Sequence, residues 1–149
     1  MFSYENYSLI MNTTIESLIP HRFPFLFVDE IVSASAEEII GIKTFSKSND
    51  AMLLGSFPDS GFIPGMILIE SMAQCGGAGI KMLGLADGFF GLVSMDKVKF
   101  FKGVTYETEI KYVVKNIRVS ERLIKQEGVA YVMDELVAEA SWICAKLNN

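Results

Sequence analysis

Gly65-Met-Ile-Leu-Ile-Glu-Ser-Met-Ala-Gln-Cys-Gly-Gly-Ala-Gly-Ile-Lys-Met-Leu83 decides how the rest of the chain is read. It is the only segment long and regular enough for a multi-turn helix. Pro64 suits its start and Gly84 its stop. The helix is apolar on nearly every side, the mark of a buried element rather than a surface amphipath. Gly76, Gly77 and Gly79 each cost roughly 1 kcal/mol in a helix relative to Ala. Three such residues predict that another backbone, such as that of a sheet, comes close on that side.

On either side of this helix the sequence reads mostly as strand. Upstream, Thr14–Ile19 predicts a short helix ended by Pro20, residues 25–35 an extended segment, and Ile39–Phe45 a strand. Residues 46–64 carry the turn signals Asn49-Asp50, Pro58-Asp-Ser-Gly61 and Pro64, in a loop long enough to hold function. Downstream, strands are expected at 89–95, 97–101, 109–119, 123–133 and 136–145. Long strands at hairpin spacing need an antiparallel sheet, so a buried helix with such a sheet is an α+β layer architecture. Residues 1–12 read as a lead-in, expected to be disordered.

Composition sets further bounds. The chain has 149 residues, the length of one domain, and half of them are hydrophobic, which excludes a disordered chain. That apolar fraction is more than a monomer easily hides, so an oligomer is expected. The first twenty residues hold no Lys or Arg, against a secretory leader, and the apolar runs stop short of a membrane span. A cytoplasmic location is the expectation. Cys75 and Cys144 form neither a metal-ligand pair nor a disulfide framework, and read as buried reduced thiols. No metal or nucleotide motif is present. The net charge of −5 argues against nucleic acid, yet residues 97–125 hold eight of the thirteen cations against three acids. Such a local basic field could steer an acidic partner, although solvated strand faces and lysines guarding an edge give the same pattern.

Two motifs carry a resemblance. Ile19-Pro-His-Arg-Phe-Pro-Phe-Leu-Phe-Val-Asp29 resembles the Pro-His-Arg-Tyr-Pro-Phe opening of the FabZ-type β-hydroxyacyl-acyl-carrier-protein dehydratases. Gly55-Ser-Phe-Pro-Asp-Ser-Gly-Phe-Ile-Pro-Gly-Met-Ile-Leu-Ile-Glu-Ser-Met-Ala-Gln74 resembles their Gly-His-Phe-Pro-Gly-x-Pro-x-Met-Pro-Gly-Val-Leu-x-x-Glu-Ala-Met-Ala-Gln, and Met95–Phe100 a later strand. The resemblance runs in register over nearly the whole chain. It implies the hot-dog fold, a curved antiparallel sheet wrapped around one central helix and paired into dimers. It also implies a 3-hydroxyacyl thioester as substrate, carried on the 4′-phosphopantetheine of acyl carrier protein, with no bound cofactor.

The chemistry gives each implied residue its reason. Dehydration removes a proton beside the thioester carbonyl, polarises that carbonyl and protonates the departing hydroxyl. The resemblance assigns the acid to Glu70 and the polarising amide to Gly65; a helix N-terminus offers unpaired N–H groups and a positive dipole end. Glu70 stands in an apolar run, the setting in which a carboxyl keeps a proton to donate, although a Glu there can also simply bond a neighbouring strand. Phe57, Pro64 and Gln74 are implied as substrate-binding, and Lys97, Lys99, Lys102, Arg118 and Arg122 as the carrier-protein dock.

The family's histidine is absent: Ser56 stands at its place, fourteen residues before Glu70. Serine is no base at neutral pH without one beside it. Asp59, Phe62 and Tyr106-Glu-Thr108 also depart from the family pattern. The only histidine, His21, belongs to the opening motif and reads as structural beside Pro20 and Arg22, unless its loop folds over the site. Three functions follow: a dehydratase-family subunit impaired alone and completed by a His-bearing hot-dog partner, a homodimeric dehydratase or Glu70-dependent thioesterase, or a noncatalytic acyl- or carrier-binding module. Trp142 and the pairs Phe89-Phe90 and Phe100-Phe101 are candidates for an acyl tunnel, or ordinary core.

Overall fold

The computed structural model describes residues 14–148, so the lead-in predicted for 1–12 lies outside the described residues. A short helix α1 (Ile15–Leu18) precedes a first hairpin, β1 (Glu30–Ala34) and β2 (Glu38–Thr44). A 3-10 turn (Ala51–Gly55) breaks the long loop before α2 (Gly65–Met82). Four strands then close the chain: β3 (Phe90–Phe100), β4 (Glu109–Val119), β5 (Leu123–Val132) and β6 (Glu135–Lys146). They make one six-stranded sheet in the order β1-β2-β4-β5-β6-β3, antiparallel throughout.

Residues on β2 and β5 alternate between buried and partly exposed, so one face of the sheet is turned to α2. Ten of the eighteen residues of α2 are buried, as its all-round apolar sequence requires. Sheet and helix interlock through missing side chains. A Cβ on Gly79 would lie 2.5 Å from Ile39 Cγ1, and one on Gly76 would strike the Gln126 amide. In return Gly41 admits Cys75, and Gly128 admits Met72. The expected approach of another backbone to all three helix glycines is therefore corrected: side chains of β2 and β5 face Gly76 and Gly79. At Gly77 an added Cβ would meet only Ile19 Cγ2, 3.9 Å away.

The two strands predicted at 89–95 and 97–101 are one. β3 runs through, with its pairing to β6 irregular between Asp96 and Lys99 and with Lys97 at φ +53, in the left-handed region. The β5–β6 turn is built by Met133 (φ +47) and Asp134 (φ +65), the doubly left-handed geometry a two-residue hairpin needs. Glu107, where the family pattern carries Gly, also takes φ +61. Its N–H donates to Phe45 O (2.7 Å) and its Oε1 accepts from Lys47 N (3.0 Å), which holds the residue there.

Candidate active site

Glu70 sits one and a half turns into α2, in the same chain as two residues that the fold brings to it from different distances. Gln74, one turn on, donates from Nε2 to Glu70 Oε1 (2.9 Å). Its Nε2 also donates to Phe25 O (3.2 Å), and its Oε1 accepts from Phe27 N (2.8 Å). Ser71 Oγ donates to Phe27 O (2.5 Å), so α2 clamps the opening segment through two polar side chains. That clamp lays His21 over the helix, with Nε2 3.5 Å from Glu70 Oε1. The imidazole stacks toward Phe25, with centroids 6.3 Å apart, and its Nδ1 is buried with no partner among the described residues.

Although Glu70 stands in an apolar run, 29% of its side chain is exposed, and 32% of that of His21. Both line the mouth of a mainly apolar cavity of about 260 Å³, walled by α1, α2, the start of β3, and β5–β6. Ile19, Gly77, Phe90, Ile124 and Cys144 form much of its wall. A second cavity of about 80 Å³ also reaches Glu70, between Met66 and Trp142. Phe89 and Phe90 therefore line a cavity. Trp142 is a core residue that also borders the second cavity, and its Nε1 donates to Gln126 Oε1 (3.2 Å).

The two thiols carry the mark of these surroundings. Burial pushes Cys75 up to about 12, and burial followed by the charge of Glu70 pushes Cys144 up to about 11. Cys75 is buried, whereas Cys144 is only partly so, which corrects the expectation of two buried thiols; both are neutral at physiological pH.

The remaining predicted residues fall elsewhere. Ser56 ends the 3-10 turn, exposed, with its N–H donating to Leu53 O (3.1 Å), and it borders neither cavity at Glu70. Phe57 beside it is 71% exposed. Pro64 caps α2 and Gly65 opens it, in a separate groove between the helix start and Phe100–Val104. A Cβ on Gly65 would come within 2.9 Å of the Phe100 ring, so the close packing there depends on glycine. Gln74, expected to bind substrate, has its amide engaged by Phe25, Phe27 and Glu70. One chain therefore unites Glu70, Gln74 and His21 and leaves Ser56, Phe57 and Gly65 apart.

The dock residues are also divided. Lys97 and Lys99 lie in the far half of β3 and Lys102 just beyond its end; Lys99 pairs with Glu139 (3.5 Å) and Lys102 with Glu135 (2.8 Å). Arg118 is level with Lys125, Ile143 and Ser94. It is thus about 13 Å further along the strands than Lys99, and about 14 Å away across three strand spacings. Arg122 lies beyond it, in the β4–β5 turn.

A curved antiparallel sheet around one helix, with a carboxylate at the mouth of an apolar cavity, defines the class, and the comparisons agree. The FabA-like domain matches residues 19–141, so the chain belongs to that family. Among its relatives are proteins named 3-hydroxyacyl-[acyl-carrier-protein] dehydratase FabZ. That of Thermotoga maritima is 34% identical over 126 residues, 85% of this chain and 90% of the relative. That of Syntrophobacter fumaroxidans is 35% identical over 130 residues, 85% and 86% of the two chains. The dehydratase heterocomplex ApeI:P from Xenorhabdus doucetiae superimposes with a TM-score of 0.78, covering 92% of this chain and 93% of that one at 19% identity. The mouse thioesterase superfamily member 2 gives 0.68 at 12% identity, over 97% and 98%. Both likenesses are of fold, the hot dog. Among the described residues no helix is long and apolar enough to cross a membrane.

Proposed function

We propose that this chain is a subunit of a 3-hydroxyacyl-carrier-protein dehydratase, with Glu70 as the proton donor. The observation that carries the reading is Glu70 at the mouth of an apolar cavity, its carboxylate fixed by Gln74 and flanked by His21. In the reaction a base takes the proton from C2 and the C3–O bond breaks. Glu70 protonates the departing hydroxyl, which leaves as water, and the C2=C3 double bond remains. The Gly65 N–H, outside the helix's own hydrogen-bond ladder, receives the thioester oxygen.

Ser56 and Gly65 lie apart from Glu70 within one chain, which fits a site shared between two subunits. Exposed apolar side chains in the loop before α2 and on β3, among them Phe57, Phe62, Leu92 and Val93, fit the same arrangement. A pair built from two copies has serine where the base should stand, and loss of one acid–base group costs about 10²–10⁴ in rate. A second hot-dog subunit with histidine at that place completes the site. Lys97, Lys99 and Lys102 are the proposed dock for the acidic carrier.

A second reading rests on one distance, the 3.5 Å between His21 and Glu70, which gives a single chain an imidazole beside its acid. In that reading His21 is the base. The experiment is turnover of 3-hydroxyacyl carrier protein by the purified protein and by Ser56→His, His21→Gln and Glu70→Gln. An inactive wild type rescued by Ser56→His supports the shared site that lacks its base. An active wild type abolished by His21→Gln supports the second reading. Turnover untouched by Glu70→Gln overturns both.

A further inference from the structure

The face of the sheet turned away from α2 carries a charge pattern that one chain leaves unmatched. On the central hairpin alternate residues point outward: Lys111, Val113 and Lys115 on β4, and Glu127, Val129 and Tyr131 on β5. Tyr112, Val114, Gly128 and Ala130 between them are buried. Strand register sets the outward residues in three rows: Glu38–Lys115–Glu127–Ser141, Ile40–Val113–Val129–Glu139 and Ile42–Lys111–Tyr131–Leu136. Lys115 and Glu127 are cross-strand neighbours, yet neither belongs to an ion pair among the described residues. A depression of about 470 Å³, bordered by Lys115, Glu127, Val129 and Tyr131 among others, hollows this face.

We propose that this face binds a second copy of the chain, back to back, about a two-fold axis that runs along the strands between β4 and β5. That line is the middle of the strand order β1-β2-β4-β5-β6-β3. The axis reverses the order of strands and keeps the rows level, so β4 lies over the partner's β5. Lys115 then meets the partner's Glu127, Val113 the partner's Val129, Lys111 the partner's Tyr131 and Ile42 the partner's Leu136, each contact occurring twice. Lys111 already lies over its own Tyr131 ring, 5.6 Å from the centroid, and the pairing repeats that contact between copies. Glu139 falls over the partner's Ile40, but its charge is matched within the chain by Lys99 (3.5 Å). An axis running across the strands would instead set Lys111 over the partner's Lys115, like charge on like. Beyond the first row Arg118 stands level with Lys125, where the chosen axis again opposes like charges, so the contact ends there. Six strands about 4.8 Å apart and three rows about 6.8 Å apart give roughly 600 Å² per copy, the low end for a specific interface. Association should therefore depend on concentration. Because the face lies opposite α2, the pairing leaves the cavity at Glu70 free and stands apart from the dehydratase reading.

Sedimentation of the full chain over about 1–100 μM reads the assembly. Wild type should gain mass across that range. Lys115→Glu and Glu127→Lys each oppose like charges at two places, and each should halve the assembled mass and raise the dissociation constant at least tenfold. Both positions are partly open to solvent, so the variants should fold. An equimolar mixture of the two variants sets each reversed charge against its opposite across the axis and should recover the wild-type mass. Pairing of Lys115 with Glu127 inside one chain gives no such recovery, because each variant then keeps its own clash. A wild type whose mass equals that of both variants at every concentration overturns the proposal. So does a mixture that stays at half mass. Neither result touches the dehydratase reading, since turnover plays no part in the measurement.

Discussion

Alanine placed in turn at Gly76, Gly77 and Gly79 should stabilise the protein once and destabilise it twice. Each substitution gains about 1 kcal/mol from helix propensity and from the lost freedom of the unfolded chain. What separates them is what the new methyl meets. At Gly77 the nearest atom is Ile19 Cγ2 at 3.9 Å, an ordinary contact, so the gain survives. At Gly79 three carbons of fully buried Ile39 stand 2.5–2.6 Å away. Overpacking of this kind costs about 1–3 kcal/mol, which leaves a net loss of about 1 kcal/mol. At Gly76 the methyl displaces the Gln126 amide, whose Nε2 donates to Gly76 O (3.3 Å) and Asn116 Oδ1 (2.8 Å) and whose Oε1 accepts from Trp142. Breaking part of that buried network costs about 1–3 kcal/mol for each stranded group, for a net loss of about 2 kcal/mol. Thermal melts followed by circular dichroism should rank Gly77→Ala above wild type, then Gly79→Ala, then Gly76→Ala, with steps of about 2–4 °C per kcal/mol. A Gly77→Ala protein as destabilised as the other two would refute the reasoning, because it would mean that α2 lies tight against its neighbours there too.

The raised thiols set an alkaline limit on stability. Below about pH 9 both folded and unfolded chains keep Cys75 and Cys144 protonated. Above it the unfolded chain loses these protons first, so stability should fall from about pH 9 toward 11 and 12, as urea midpoints across that range will show. A thiol reagent at pH 8 should leave buried Cys75 unlabelled in the native protein and label it in denaturant, with Cys144, only partly buried, labelled slowly in the native state; rapid native labelling of Cys75 counts against its burial. Asp29→Ala should cost about 2–4 kcal/mol. It strips Lys43 Nζ, on a side chain only 9% exposed, of its partner at 3.0 Å and leaves the Thr44 N–H without its acceptor. A urea midpoint within error of wild type would show that water serves Lys43 equally well.

Features that depend on neighbours in sequence were readable from the chain. The helix from Gly65, the strand Glu109–Val119 and the hairpins after it follow from apolar periodicity and turn residues, and the fold class follows from their order. The bulge at Lys97 was not readable, because the Asp96–Lys99 stretch has no glycine to mark a left-handed residue and the irregularity comes from pairing with β6. The arrangement around Glu70 depends on contacts made across nearly fifty residues. His21 reaches Glu70 only because Gln74 and Ser71 hold Phe25 and Phe27 in place. The one sequence signal for this was a lone histidine in a motif matching the family's opening. The basic run 97–125 looked like one patch because charge was counted along the chain, whereas the strand order sends its two ends to different parts of the sheet.

The amide of Gln74 limits what this lineage can change. One side chain must accept from Phe27 N–H while donating to both the Phe25 carbonyl and the Glu70 carboxylate. Glutamate at position 74 would set a second carboxylate against Glu70 and a carbonyl, and leucine would strand the Phe27 amide. Drift in the opening segment is therefore tied to drift at the acid. A descendant that reshapes one inherits a mismatch in the other, and must pass through variants in which the loop and the helix no longer agree.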